Sequence, residues 1–119
     1  MPHSWPPLAA TLRRLQPLRI EDKPIFDAHA CIVGVRYSDY SFANNLCWCA
    51  DQRYMHGMFE GCFCLFALRG NDLSMVLPPL GPASQQAAAV RDCLTLMAQS
   101  NPSRCGVIRY VYKDLVAVL

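Results

Sequence analysis

Seven cysteines and three histidines are the residues of this 119-residue chain best suited to metal binding or nucleophilic chemistry. Four thiols form two Cys-x-Cys pairs, Cys47/Cys49 and Cys62/Cys64. A structural zinc knuckle usually takes Cys-x-x-Cys from a turn that wraps its backbone around the ion. Cys47/Cys49 falls in a predicted helix, where positions two apart diverge by about 200°. Cys62/Cys64 falls in a predicted strand, where both side chains point to one face. Both pairs therefore read as buried free thiols, and no metal is expected. His3, His29 and His56 share no ligand spacing. His29 reads as a core or surface histidine on the apolar face of a helix. His56 can be paired with Cys62 or Cys64 across a hairpin. Activating such a pair takes a hydrogen-bonded base and a lowered thiol pKa, and no pattern in the sequence supplies either. Gly57, Gly61, Gly70 and Gly81 form no phosphate loop, and there is no Gly-x-Ser-x-Gly elbow.

The elements that must position these residues are legible from periodicity. Leu8, Leu12 and Leu15 lie on one helical stripe that Pro17 should stop. Asp22 can cap a helix starting near Lys23-Pro24, with Ile25, Phe26, His29 and Ile32 or Val33 as its stripe and Gly34 as its end. Tyr37 to Ser41 reads as a turn and cap, after which Phe42, Leu46 and Cys49 fall at helical spacing. Tyr54 to Phe59, Cys62 to Leu68 and Leu73 to Leu77 read as three strands. Glu60-Gly61 and Arg69-Gly70-Asn71-Asp72 turn them, and Pro78-Pro79 ends the third. A long helix spans about Ser84 to Gln99, with Ala87, Val90, Leu94, Met97 and Ala98 inward and Gln86, Arg91 and Gln99 solvated. Asn101-Pro102 breaks it. Gly106 to Val111 is a fourth strand and Lys113 to Leu119 a further helix. This order predicts an α/β (α+β) fold, a mostly antiparallel sheet flanked by helices.

The stretch Tyr37-Ser38-Asp39-Tyr40-Ser41-Phe42-Ala43-Asn44-Asn45-Leu46-Cys47-Trp48 crowds aromatic and amide side chains together. Ser41-Phe42-Ala43-Asn44 followed by Trp48 resembles the signature near the start of the phosphatidylglycerol lysyltransferase C-terminal-like family of bacteria. Leu18 to Phe26 is similar to that family's opening helix, Tyr54 to Leu68 to its paired strands, and Leu77-Pro78-Pro79-Leu80-Gly81 to its entry into a helix. Ile108 to Val118 is similar to the strand and helix that follow. The resemblance covers roughly residues 18–119, with 1–17 as an N-terminal helical segment. It implies the first of two facing GNAT-like (acetyltransferase-like) halves that move an acyl or aminoacyl group. The donor it implies is an acyl-CoA or an aminoacyl-tRNA, with no resident cofactor. The match reaches the first half only, so no catalytic residue is carried over. Asn45 and Leu46 depart from the family's apolar residue and tyrosine. Ser41, Phe42, Asn44 and Trp48 are the expected pocket or interface lining.

Composition bounds these readings. The chain is 53% hydrophobic and 17% charged, enough apolar content for one core. A formal net charge of +2 without a basic block argues against DNA or an anionic membrane as partner. No apolar run approaches the about 18 residues of a transmembrane helix. An odd cysteine count without a secretion signal argues against a disulfide framework and for the cytoplasm. The apolar end at Val116, Val118 and Leu119 reads as a truncation. Two functions follow as expectations. One is a transferase half that is inactive without its C-terminal half. The other is a non-catalytic interaction module that pairs with a second copy or docks on a partner.

Overall fold

The computed structural model describes residues 6–33 and 53–109. Helix α1 (Pro6–Leu12) leads to a two-residue edge strand β1 (Gln16–Pro17) and a 3-10 turn (Ile20–Asp22). Helix α2 (Lys23–Val33) precedes β2 (Arg53–Phe59), β3 (Cys62–Arg69), β4 (Asp72–Met75) and helix α3 (Ala83–Ser100). The sheet order is β1-β2-β3-β4, with every pair antiparallel. The α+β architecture is therefore present, with the meander where the periodicity places it. No described helix is long and apolar enough to cross a membrane. The expected elements over Phe42 to Cys49 and Lys113 to Leu119 lie outside the described residues.

Strand β3 organises the molecule. Its residues Cys62 to Leu68 are all buried, so both of its faces are covered. Full burial of a large apolar side chain contributes about 1.5–3 kcal/mol. This strand alone therefore outweighs anything the two-residue edge strand β1 adds. Cys62, Cys64, Phe66 and Leu68 face a core shared with Leu8, Leu15, Met55, Met75, Cys93 and Met97. Phe63, Leu65 and Ala67 face a second core with Leu18, Phe26, Val76, Leu77 and Leu80.

The two hairpins follow from their loop residues. Glu60 and Gly61 both have positive φ, 51° and 73°, the geometry of a two-residue type I′ turn. Glu60 has a Cβ and tolerates this conformation less well than Gly61 does. A Cβ at Gly61 would also stand 2.6 Å from Gln85 Oε1 on α3. Gly70, φ 59°, opens the second turn between the paired Arg69 and Asp72.

Four expectations are corrected. Helix α1 ends at Leu12 rather than at Pro17, and Gln16–Pro17 pairs with His56 and Met55 instead. Leu15 lies beyond the helix and is still buried. The third strand is shorter than Leu73 to Leu77. After Val76 N–H donates to Leu65 O, residues 77–79 leave the ladder. Leu80 then returns to exchange both backbone hydrogen bonds with Phe63, at 2.8 and 2.9 Å. Prolines cannot donate to a ladder, which explains the excursion at Pro78-Pro79. The inner face of α3 is rotated from the expected one. Gln86 is buried and Leu94 is exposed. Gln86 tolerates burial because its Nε2 donates to Pro79 O at 2.9 Å. At the other end Ser100 donates to Leu96 O, and its hydroxyl meets that of Thr11 on α1 at 2.5 Å. On α2 only Phe26 is buried, while Ile25 and Ile32 are exposed.

The segment after α3 adds a parallel neighbour to β4. Met75 N–H donates to Val107 O and its carbonyl accepts from Arg109 N–H, a parallel bridge to Ile108. This places the beginning of the expected fourth strand beside β4. Asn101 makes the junction. Its Oδ1 accepts Leu73 N–H at 2.7 Å, and its Nδ2 donates to Leu73 O and Cys105 O at 2.8 and 2.9 Å. One buried side-chain amide thus stands in for a strand backbone.

Two predictions follow from these contacts. Asn101→Ala leaves Leu73 N–H and two carbonyls without partners, so urea unfolding should show a loss of about 2–4 kcal/mol. Asn101→Asp should also destabilise, because a carboxylate cannot donate to either carbonyl. The second concerns Glu60, whose carboxyl titrates above its ordinary value, first through a hydrogen bond to Asp92 and then through repulsion by it. Above the ordinary carboxylate range the folded state then holds a proton that the unfolded state has lost. Stability therefore falls as pH rises from that range through the raised value. Glu60→Asn removes the repulsion and suits positive φ. Thermal unfolding should give a higher midpoint at neutral pH and a shallower fall between acid and neutral pH.

Candidate functional site

Alternation along β2 puts Tyr54, His56 and Met58 on the sheet face that α2 covers. His56 is the Cα partner of Leu65, and Met58 that of Phe63. The expectation of a buried thiol pair holds for Cys62 and Cys64, which point to the opposite face. The thiol–imidazole pair drawn across this hairpin therefore does not form. A hydrogen bond to Cys93, then burial, pushes the Cys64 thiol far above its ordinary value. Burial raises that of Cys62 as well. Both stay protonated at neutral pH and are poor nucleophiles. Among the described residues no three His, Cys, Asp or Glu side chains cluster as metal ligands.

The partner that His56 does have is Asp22. Nε2 of His56 lies 3.0 Å from Asp22 Oδ2, with 13% and 22% of the two side chains exposed. The same carboxylate oxygen accepts Arg19 N–H at 2.7 Å. Asp22 thus closes the 3-10 turn just before α2 and holds the imidazole at once. Lys23 pairs with Asp27 on α2 rather than with Asp22. A carboxylate only accepts, so the hydrogen on Nε2 points at Asp22, and in neutral His56 the lone pair is on Nδ1.

Phe63 is the floor of this site. The His56 ring stacks on it at 5.0 Å between centroids and 18° between planes. Phe26 meets the same ring edge-on at 5.6 Å, and His29 lies tilted at 6.2 Å. His29 sits on α2 and turns its Nδ1 to Ile25 O at 2.7 Å. Two histidines from different elements therefore share one aromatic neighbour, and only one of them is held by a carboxylate.

A concavity lies on the other side of the sheet. It is an open groove of about 230 Å³ lined by Arg14, Phe59, Asp92, Thr95, Leu96 and Gln99. The Arg14 guanidinium sits 5.6 Å from the centre of the Phe59 ring. It sets a cation, an aromatic ring and the Asp92 carboxylate around one opening.

Ser41, Phe42, Asn44 and Trp48, the expected lining, lie outside the described residues. Sequence reasoning missed Asp22 as the partner of His56, having read it only as a helix cap. The useful signal was alternation: it puts His56 on the same face as Phe63 and Leu65, the face to which α2 and its preceding turn must pack. No family model, curated protein or solved structure matches the chain.

Phe63→Leu tests the floor. It keeps most of the apolar burial and removes three ring contacts, each worth about 0.5–1.5 kcal/mol. Urea unfolding should register a loss of about 1–3 kcal/mol. The His29 and His56 ring protons should both shift in NMR spectra of the folded variant.

Proposed function

We propose that this chain supplies one half of an acyl- or aminoacyltransferase-type domain, GNAT-like in plan, whose site is completed by a C-terminal half. One observation carries the reading. After the antiparallel meander, α3 returns the chain to lie parallel to β4, with Met75 bonded to Val107 and Arg109. That order of meander, helix and parallel return supports the resemblance noted around Ser41-Phe42-Ala43-Asn44 and Trp48. The donor is an acyl thioester or an aminoacyl ester carried on tRNA, and Ser41, Phe42, Asn44 and Trp48 line its pocket. The five described cysteines are all free thiols, which supports a reducing, cytoplasmic setting.

A second reading is favoured by a separate observation. Ile20, Ile25 and Ile32 are 66%, 39% and 55% exposed, and Ile25 and Ile32 lie two turns apart on one stripe of α2. An interaction module would use that row to pair with a second copy. Light scattering on the wild type and on Ile25→Asp/Ile32→Asp separates the two: a dimer that becomes a folded monomer favours pairing through α2.

Trp48 is one of only two tryptophans, the other being Trp5. Titration with acetyl-CoA or with lysyl-tRNA should quench the intrinsic fluorescence. The quench should vanish in Trp48→Phe and persist in Trp5→Phe. If neither donor changes the fluorescence or binds by calorimetry, the transferase reading fails.

A further inference from the structure

We propose that His56 is a proton acceptor in acyl transfer and that Asp22 is its positioning residue. The proposal rests on the transferase reading for the class of donor, but the dyad itself stands on geometry. Three restraints converge on one ring. Asp22 Oδ2 takes the hydrogen of Nε2, Arg19 N–H fixes that carboxylate, and Phe63 fixes the ring plane. No restraint of this kind reaches His29, which spends its Nδ1 hydrogen on the carbonyl of its own helix. Nδ1 of His56 has no hydrogen-bond partner among the described residues. It carries the lone pair that a general base needs.

The surroundings suit the role. Among the described residues the charged or titratable groups on this face around His56 are Asp22 from the turn, Tyr54 two positions earlier on β2 and His29 across Phe63. Strand β3 presents Phe63 and Leu65 on this face, and β1 presents Gln16 opposite His56 in register.

The step balances without a further reagent. An acceptor amine or hydroxyl attacks the carbonyl carbon of the donor ester or thioester and loses its proton to Nδ1. The bond to the leaving oxygen or sulfur breaks with its electron pair. The imidazolium returns the proton to that leaving group, and His56 is neutral again.

The test uses the whole chain and p-nitrophenyl acetate as an activated acyl ester. Wild-type protein should cleave it with a rate that rises with pH along a single titration. His56→Gln should lower the rate by roughly 100-fold, the usual weight of a positioned base. Asp22→Asn should lower it too, and Asp22→Glu should restore part of the rate. His29→Gln should leave the rate within about twofold. Long-range ¹H–¹⁵N spectra should show His56 as the Nε2–H tautomer in the wild type and as a mixture in Asp22→Asn. A folded His56→Gln that keeps the wild-type rate overturns the proposal, and so does a wild-type His56 carrying its hydrogen on Nδ1. If His56→Gln does not fold, an unchanged rate in Asp22→Asn overturns it instead. Ester cleavage that depends on His56 with no binding of acetyl-CoA or lysyl-tRNA upholds the dyad and rejects the donor class. Donor binding with cleavage that ignores His56 does the reverse.

Discussion

The rest of the molecule depends on β3 being apolar on both faces. A strand that buries every residue from Cys62 to Leu68 must be covered twice. α1 and α3 supply one cover and α2 contributes to the other. The covers are chemically different. Beneath α1 and α3 the contacts are thioether, thiol, aliphatic and one edge-on ring pair, Phe59 with Phe66, and the buried polar groups are the neutral Thr11, Gln86, Ser100 and Asn101. Beneath α2 the packing is aromatic, with imidazole and carboxylate let in around Phe63. Among the described residues it is on the second side that an imidazole and a carboxylate pair at the boundary between core and solvent.

That boundary position has a local cause. Strand β1 pairs only His56 and Met55 of β2, and the chain then turns through Ile20–Asp22 directly over the His56 side chain. The brevity of β1 thus brings a carboxylate to the sheet. Had β1 run longer, the turn would have been carried past His56. The same turn sets the start of α2, so the helix that bears His29 and Phe26 and the residue that orients His56 are fixed together.

Much of the fold was legible from single residues. Glu60-Gly61 and Gly70 marked the hairpins, and the run from Cys62 to Leu68 marked the buried strand. Pro24 and Asp22 marked the start of α2, and Asn101-Pro102 the end of α3. What was not legible depended on tertiary partners. Gln86 looks solvated until Pro79 O is placed beside it, and Asn101 looks like a helix stop until Leu73 is. A two-residue strand such as β1 has too few residues to show a period of two, so its pairing with His56 left no local signature. Half of the candidate site was therefore readable, as an imidazole on a strand facing α2. The other half was hidden in a residue whose capping role was real but incomplete.

The Thr11–Ser100 contact has a consequence for how the chain assembles. The meander closes through neighbours: Phe59 with Cys62, Arg69 with Asp72, and Phe63 with Leu80, all short separations that form at small entropic cost. The hydroxyl pair joins positions 89 residues apart. Docking α1 therefore closes a long loop and gains Leu8, Leu12 and one polar contact in return. Loop-closure entropy therefore favours zipping of the sheet before α1 docks. Amide exchange should accordingly be faster in α1 than in β3.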